Sequence, residues 1–144
     1  MKIQLLNKEL YGELKPQTIG SAGIDLRSNE THQITVLKED TYKFKTGIKI
    51  AIDRPYAGMV LSRSGIGSKG TIVSQGVGLI DPDYRGELIV PIYNRTNELL
   101  FIKPGDRIAQ LVLVNMFDMH QLKIVDELDE TERGSGGFGH TGVR

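Results

Sequence analysis

The chain has 144 residues, no cysteine, and 18 basic residues that balance 18 acidic ones, so its formal net charge is zero. A chain of this length favours one domain with a sizeable core. The balanced charge argues against nucleic acid or a membrane as partner, and the lack of cysteine excludes disulfides and thiolate metal sites.

Short runs of alternating polar and apolar residues, and two longer runs rich in Ile, Val and Leu at 87–93 and 107–114, recur along the chain, separated by Gly, Pro, Asn and Asp. Such runs predict short strands joined by turns. The predicted strands are 2–6, 24–26, 32–37, 41–44, 47–52, 59–61, 87–93 and 107–114. Residues 126–133 have helical composition but no apolar face, which predicts a polar linker rather than a helix. The pattern as a whole predicts an all-β fold, a jelly-roll-like antiparallel barrel or sandwich, with no convincing helix.

The composition changes abruptly after residue 133, because five of the nine residues 134–142 are glycine. Ordering each glycine costs more backbone entropy than its packing can recover. We therefore expect a folded domain over residues 1–132 and a flexible Gly-rich C-terminal arm over residues 133–144. Phe138 has no core to enter within this arm, which favours stacking on a flat ligand or docking on a neighbouring subunit. A plain flexible end is the alternative.

The loop Arg63–Gly70 directly follows a predicted strand and combines glycines, serines, an arginine and a lysine. Free backbone N–H groups, hydroxyls and positive side chains together favour binding of an anion such as phosphate. A basic surface loop without a ligand would have the same composition, so the loop alone does not decide between the two.

The stretch Gly76–Glu87 has three glycines and a proline that mark sharp turns, and it carries Asp81 and Asp83. A carboxylate at a rigid turn between strands is well placed for acid–base chemistry. A surface hairpin whose Asp-Pro-Asp sequence only favours a turn is the alternative, and by itself it is the commoner case.

The stretch Gly105–Leu111 enters an apolar strand in which Arg107 and Gln110 are the polar exceptions. Polar side chains in a buried strand need hydrogen-bond partners, and for Arg107 we expect a structural bond to a neighbouring loop. The three histidines lack the spacing of a transition-metal site. Several anion-binding loops, one stacking aromatic residue and a few candidate acids together predict a nucleotide site.

Five stretches in this order resemble the motifs of the trimeric deoxyuridine triphosphate nucleotidohydrolases (dUTPases). They are Ser21–Leu26, Arg63–Gly70, Gly76–Glu87, Gly105–Leu111 and Arg133–Gly142. The resemblance implies a jelly-roll homotrimer with active sites at subunit interfaces and an arm that closes over a neighbour's substrate. It also implies hydrolysis of dUTP to dUMP and pyrophosphate, with Mg²⁺ held mainly by the triphosphate. This reaction keeps uracil out of DNA and supplies dUMP for dTMP synthesis. We expect it in the cytoplasm, or in the host cytoplasm if the source is viral.

The resemblance also implies a role for individual residues near the base and sugar. Asp81 matches the general base that deprotonates the attacking water, and Asp83 is expected to be structural. Tyr84 matches the residue that packs under the deoxyribose and leaves no room for a 2′-hydroxyl. The uracil would be received by a segment around the hairpin, and Gln75 stands where some members have an asparagine that touches the base. The resemblance implies that the uracil-binding residues are Gly78, Leu79, Ile80 and Ile89.

Phosphate and metal contacts follow from the other four motifs. Asp25 would hold the waters around Mg²⁺, and Phe138 would stack on the uracil. Ser135 would lie near the phosphates, and His140 stands where a serine is usual in the last motif. The residues that match phosphate or substrate contacts are Arg63, Ser64, Gly65, Gln110, Arg133, Gly139 and Thr141.

Three other functions fit parts of this pattern. The related dCTP deaminases share the fold, but they need a glutamate and an arginine around the base, and the Asp81–Tyr84 pattern favours the hydrolase. An inactive module that senses dUTP or binds a partner protein would not need an intact catalytic carboxylate. A purely structural β-sandwich would not need the arm with Arg133 and Phe138.

Overall fold

The computed structural model describes residues 1–137, in which ten strands form three antiparallel sheets. The strands are Lys2–Leu5 (β1), Gly23–Arg27 (β2), Ile34–Val36 (β3), Thr41–Ala51 (β4), Tyr56–Leu61 (β5), Thr71–Val73 (β6), Gly78–Ile80 (β7), Glu87–Asn94 (β8), Leu100–Ile102 (β9) and Arg107–Asn115 (β10). Two short helices, Lys8–Tyr11 (α1) and Ser64–Gly67 (α2), and a 3₁₀ turn at Met119–Gln121 complete the elements. None of the helices in this part of the chain has the length and apolarity that a membrane crossing requires.

Two four-stranded sheets share one apolar core. Their strand orders are β1-β4-β8-β6 and β2-β10-β5-β7, and β3 and β9 form a separate pair. Strand β8 illustrates how a sheet contacts this core, because every second residue from Leu88 to Asn94 is buried while its neighbours are not. This period-two alternation is that of a sheet with one face on the core. The predicted all-β, jelly-roll-like antiparallel fold is confirmed, as packed sheets rather than as a closed barrel.

The two strands predicted at residues 41–44 and 47–52 are one continuous strand, β4. Its pairing with β8 shifts register between Lys45 and Lys49, which is an irregularity of the β-bulge kind. Gly47 lies inside this irregularity with a φ of 70°, a conformation that side chains other than glycine's rarely adopt. The glycine that interrupts the sequence pattern therefore bends the strand without ending it.

Several very short elements escape prediction from the sequence. Strands β6, β7 and β9 have three residues each, too few for an alternation to be recognised. The expectation of no helix is wrong for two single turns. The first, α1, is capped by Asn7, whose side-chain oxygen accepts a hydrogen bond from the backbone N–H of Leu10 at 3.1 Å. The predicted linker 126–133 is confirmed as a segment without helix or strand.

Candidate functional site

The hairpin after β7 encloses a hollow of about 250 Å³. Its lining residues are Leu79, Ile80, Asp81, Tyr84, Leu88 and Ile89. Five of these six are residues that the sequence assigns to the base, the sugar or the catalytic acid. Leu88 is the addition, and its position next to Ile89 in a predicted strand was the signal that could have found it. The structure thus brings the base and sugar residues together with the candidate acid.

Hydrogen bonds hold this hairpin in a fixed turn. The N–H of Tyr84 donates to the carbonyl oxygen of Asp81 at 3.1 Å, with Pro82 at the second turn position, where its fixed φ is favourable. The guanidinium of Arg85 donates to the carbonyl oxygens of Pro82 at 2.7 Å and Tyr84 at 2.8 Å. The N–H of Ile52 approaches the Pro82 carbonyl at 3.4 Å, which ties the turn to the end of β4.

The Tyr84 ring is fixed at its far end. Its hydroxyl donates to the carbonyl oxygen of Glu87 at 2.9 Å. The Glu87 carboxylate in turn accepts from the backbone N–H of Gly47 at 2.7 Å, inside the β4 irregularity. The ring therefore spans its own turn and is bonded to the first residue of β8, whose side chain is in turn bonded to β4.

Gly78 and Gln75 lie side by side at the start of this hairpin. An ideal Cβ added at Gly78 would come 3.2 Å from the side-chain nitrogen of Gln75 and 3.2 Å from Cβ of Val60 on β5. The absence of a side chain lets the amide of Gln75 approach the backbone at this point. The polar groups of Gln75 and of the β7 backbone are therefore near one another, as a base-recognition segment requires.

A second group of predicted residues gathers around Asp25 on β2. Oδ1 of Asp25 forms an ion pair with Nε of Arg63 at 2.6 Å, and Oδ2 accepts a hydrogen bond from Nη1 of Arg107 at 3.3 Å. Gln110 lies directly opposite Asp25 in the β2–β10 register, and its Nε2 donates to the carbonyl oxygen of Ser62 at 3.1 Å. The need of Gln110 for a polar partner is thereby confirmed, whereas the ion pair of Arg107 with Asp25 was not predicted.

Ser64 and Gly65 begin the short helix α2 immediately after Arg63, and both are exposed. The glycine has no heavy atom within 4 Å of an added Cβ, so its backbone faces open space. Arg63 itself is the residue that precedes the helix, and its side chain is about 25% exposed. The loop therefore presents accessible N–H groups and a hydroxyl beside a partly sheltered guanidinium, which are the elements of an anion site.

The side chains near Asp25 fit a magnesium ion only if most of its ligands come from phosphate and water. No group of three or more His, Cys, Asp or Glu side chains within residues 1–137 is placed to hold a metal. Asp25 is a single carboxylate, with 11% of its side chain exposed, and it is shared between two guanidinium groups. Mg²⁺ keeps several waters and takes few direct protein ligands when phosphates are present. The residues thus fit an ion held by phosphate oxygens and water, with Asp25 contacting that water.

The two groups lie towards opposite ends of β5. Ile80 pairs with Gly58 near the start of β5, so Asp81 follows at that end. Arg63 comes two residues after β5 ends at Leu61. From Gly58 to Arg63 an extended chain covers roughly 17 Å at about 3.3 Å per residue. The acid and the phosphate loop of one chain therefore lie towards different ends of the same strand.

The described part of the arm does not join the two groups either. Nε of Arg133 donates to the carbonyl oxygen of Gly136 at 2.9 Å, within a turn of the arm itself. Ser135 is exposed beside it. The predicted contacts of Phe138, Gly139 and Thr141, and the departure at His140, lie outside the described residues.

Asp81 also faces a larger hollow on the other side of the hairpin. This hollow has a volume of about 450 Å³ and lies between the turn and the segment that follows β10. Its lining residues are Arg54, Pro55, Asp81, Pro82, Asp83, Met116, Phe117, Asp118, Met119 and His120. Asp81 lines both hollows, whereas Asp83 lines only this one.

Comparison with known proteins gives a consistent result. The family model described as dUTPase matches residues 12–142. A deoxyuridine 5'-triphosphate nucleotidohydrolase of Alcanivorax borkumensis is 47% identical over 127 residues, which cover 87% of this chain and 84% of the relative. The protein of the same name from Francisella tularensis subsp. holarctica is 44% identical over 146 residues, with 99% of each chain covered.

Solved structures of the same family have the same fold. The dUTPase of Staphylococcus bacteriophage 80alpha with dUPNHPP superposes with a TM-score of 0.82 at 28% identity, and the match covers 99% of this chain and 98% of that one. A mutant dUTPase from phage phi11 of S. aureus, described with a structural Mg(II) ion, has a TM-score of 0.75 at 25% identity, over 90% and 98% of the two chains. On the matched model and these relatives, the chain belongs to the dUTPase family.

Proposed function

We propose that this chain hydrolyses dUTP to dUMP and pyrophosphate, with Asp81 as the general base. The observation that carries the proposal is the hollow that joins Asp81 and Tyr84 with the β7 residues. Family membership supplies the reaction, since the relatives are nucleotidohydrolases of deoxyuridine 5'-triphosphate. The geometry supports the assignment of residues to the base, the sugar and the water.

Asp81 acts on the attacking water. Its carboxylate is exposed, and among residues 1–137 no ion pair or side-chain hydrogen bond engages it. It accepts a proton from water, whose oxygen forms a bond to the α-phosphorus while the bond from that phosphorus to the bridging oxygen of pyrophosphate breaks. Such a reaction depends mainly on positioning and on neutralising charge. The rigid turn at Pro82 provides the positioning.

The β7 segment distinguishes uracil from cytosine. Backbone N–H and C=O groups near Gly78, Leu79 and Ile80 match the O4 acceptor and the N3–H donor of uracil, and cytosine presents the opposite pattern. Ile89 and the Gln75 amide complete the base contacts. The close-packed hairpin leaves no room for the methyl group of thymine, and a site built to hydrogen-bond one base discriminates strongly against another.

Tyr84 excludes the 2′-hydroxyl of a ribonucleotide. Its ring lines the hollow and is fixed by the bond from its hydroxyl to Glu87. A ring held at both ends yields little space, so a deoxyribose fits over it and a ribose does not. This gives the site its preference for deoxynucleotides.

The group around Asp25 receives the triphosphate. Arg63, Ser64 and Gly65 bind phosphate oxygens, and Gln110 contacts phosphate from β10. When bound, Mg²⁺ neutralises phosphate charge and orients the leaving group, and Asp25 holds its waters. In the arm, Arg133 binds the γ-phosphate with Ser135, Gly139 and Thr141 near it, and Phe138 stacks on the uracil.

The protein works as a homotrimer with sites between subunits. The roughly 17 Å of extended backbone between Gly58 and Arg63 favours a site in which a neighbour supplies the missing half. The segment after β10 also exposes large apolar side chains, and Ile124 and Leu128 are 94% and 84% exposed. Such a segment gains stability when it packs on a second subunit. The physiological result is a dUTP pool kept low in the cytoplasm, which keeps uracil out of DNA and provides dUMP for dTMP synthesis.

Pyrophosphate release from each dNTP and from UTP, with and without Mg²⁺, tests this function. We expect turnover of dUTP that depends on Mg²⁺, and little turnover of dCTP, dTTP or UTP. Ammonia release from dCTP would instead assign the chain to the deaminases. Binding of dUTP without any turnover would assign it to an inactive sensor.

A further inference from the structure

Gly86 is a glycine that its backbone conformation does not require. It is absent from the glycines of positive φ, which are Gly12, Gly47, Gly70, Gly76, Gly105 and Gly134. An ideal Cβ at this position would nevertheless lie 2.5 Å from Cζ and 3.0 Å from Cε2 of Tyr84, and closer still to the tyrosine hydroxyl. What demands a glycine here is the tyrosine ring, which lies directly against the Cα atom.

The side chain of Tyr84 is also the part that would yield to a larger residue. The three atoms nearest to the added Cβ all belong to the end of this ring, and none belongs to the backbone. By contrast, an added Cβ at Gly23 would meet the backbone carbonyl oxygen of Leu111 at 2.6 Å. Tyr84 is 42% exposed, so its hydroxyl can exchange the bond to Glu87 for water. An alanine at position 86 therefore displaces the ring and leaves the turn intact.

We propose that Gly86 is a positioning residue that sets the enzyme's selection of deoxyribose over ribose through the Tyr84 ring. This rests on the proposed function, in which Tyr84 lies under the sugar. The lack of a side chain at Gly86 lets the hydroxyl end of the ring lie against the turn, and the Glu87 carbonyl fixes the hydroxyl there. The sugar pocket thus has a shape that two residues define together, and only one of them touches the substrate.

The test is the ratio of kcat/KM for dUTP to kcat/KM for UTP in Gly86→Ala. We expect the ratio to fall by about tenfold or more, since a displaced contact in a close-fitting pocket changes selectivity by one to two orders of magnitude. Gly20→Ala is the matched control, because an added Cβ at Gly20 has no heavy atom within 4 Å and this loop glycine has no positive φ. Its ratio should equal that of the wild type.

A double-mutant cycle shows whether the effect passes through the ring. In the Tyr84→Ala background, Gly86→Ala should leave the ratio unchanged, because the added Cβ has no ring to displace. A further change in the ratio would contradict the proposal. If Gly86→Ala alone does not fold, the double variant must fold and have the ratio of Tyr84→Ala, and an unfolded double variant would overturn the proposal.

The failures of the two proposals are distinguishable. A wild-type protein that releases no pyrophosphate from dUTP refutes the proposed function. A wild-type protein that selects dUTP over UTP, together with a Gly86→Ala variant of unchanged ratio, refutes only the role of Gly86. Equal kcat/KM for dUTP and UTP in the wild type would refute both the proposed sugar contact of Tyr84 and the proposed role of Gly86.

Discussion

The two acids of the Asp-Pro-Asp turn have different surroundings. Asp81 lines the hollow with the base and sugar residues as well as the larger hollow behind the turn, whereas Asp83 lines only the latter. A general base must lie within hydrogen-bond reach of the water that it deprotonates. This geometry supports the assignment of proton transfer to Asp81 and of a structural role to Asp83.

Asp81→Asn should lose most turnover and keep nucleotide binding. The amide preserves the shape of the carboxylate but accepts no proton from water, so we expect kcat to fall by about 10² to 10⁴-fold. The Kd of a non-hydrolysable dUTP analogue, measured by calorimetry, should stay within a few fold. Asp83→Asn is the matched control and should keep most of the activity. Turnover at the parental rate in Asp81→Asn would exclude Asp81 as the base.

Tyr11 makes the stability of the fold sensitive to alkaline pH. Burial raises the pKa of its hydroxyl from 10.0 to about 12, and the side chain is 9% exposed. The hydroxyl donates to the Thr46 carbonyl at 2.7 Å and accepts from the N–H of Arg27 at 3.0 Å. A pKa raised by folding means that the native state holds the proton more tightly than the unfolded state does.

The contribution of Tyr11 to stability is therefore complete below pH 10 and disappears as the pH rises through 12. The loss amounts to about 3 kcal/mol in the free energy of unfolding, since the pKa shift is about two units and one unit corresponds to about 1.4 kcal/mol. Urea unfolding at several pH values should show the wild type losing its advantage over Tyr11→Phe across this range. Tyr56→Phe, at an exposed position, is the control. A constant difference between wild type and Tyr11→Phe would contradict the assignment.

At the scale of the elements, the pairing of β2 with β10 holds together the residues that we propose bind the triphosphate. It places Asp25 opposite Gln110, and the close approach of the strands depends on Gly23, where an added Cβ would lie 2.6 Å from the Leu111 carbonyl oxygen and 2.9 Å from a methyl group of Val112. A backbone carbonyl cannot rotate away as a side chain does. A larger residue must therefore push the strands apart.

Gly23→Ala should destabilise the fold and weaken triphosphate binding. Overpacking of this kind costs about 1–3 kcal/mol in the free energy of unfolding, and the shift of β2 moves Asp25 away from Arg63. Binding of a non-hydrolysable dUTP analogue should weaken more than binding of dUMP, which lacks the terminal phosphates. Gly20→Ala, three residues earlier, is the control with open space. An equal loss for both ligands would place the effect elsewhere.

The elements also show where prediction from sequence fails. Strand β8 is predicted at 87–93 and observed at Glu87–Asn94, because its run rich in Ile, Val and Leu is long enough to be recognised. Helix α2 and strands β6, β7 and β9 are too short to have a readable period. The three strands exist because neighbouring strands provide hydrogen-bond partners, as β5 does for β7, whereas α2 is closed by its own backbone hydrogen bonds, such as that from the N–H of Gly67 to the carbonyl oxygen of Arg63.

At the scale of the whole molecule, the chain after β10 exposes apolar side chains that the described residues of one subunit leave uncovered. Phe117 and Met119 are 66% and 67% exposed beside the larger hollow, and apolar residues remain exposed as far as Leu128. Our proposal assigns this segment to a neighbouring subunit and the arm from Arg133 onwards to the substrate. Two truncations of different length should therefore separate the effect on assembly from the effect on activity.

Deletion of residues 133–144 should leave a folded trimer that hydrolyses dUTP poorly, because Arg133 and Phe138 are lost. Deletion of residues 117–144 should in addition yield monomers, because the exposed apolar segment is lost. Light scattering after size exclusion measures the assembly, and pyrophosphate release measures activity. Unchanged steady-state kinetics in the shorter deletion would refute the role of the arm. A trimer in the longer deletion would refute the role of residues 117–132 in assembly.

By itself, the sequence determined the all-β class, and it predicted which residues lie around the base, sugar and phosphates. It could do so because alternation and turn residues are local properties, and because five motifs occur in one order along the chain. The tertiary structure decided which of these residues contact one another. It paired Asp25 with Arg63 and Arg107, set Gly86 under the Tyr84 ring, and put Asp81 and Arg63 towards opposite ends of β5. These relations depend on strand register and on close approach between distant residues, which no local pattern encodes.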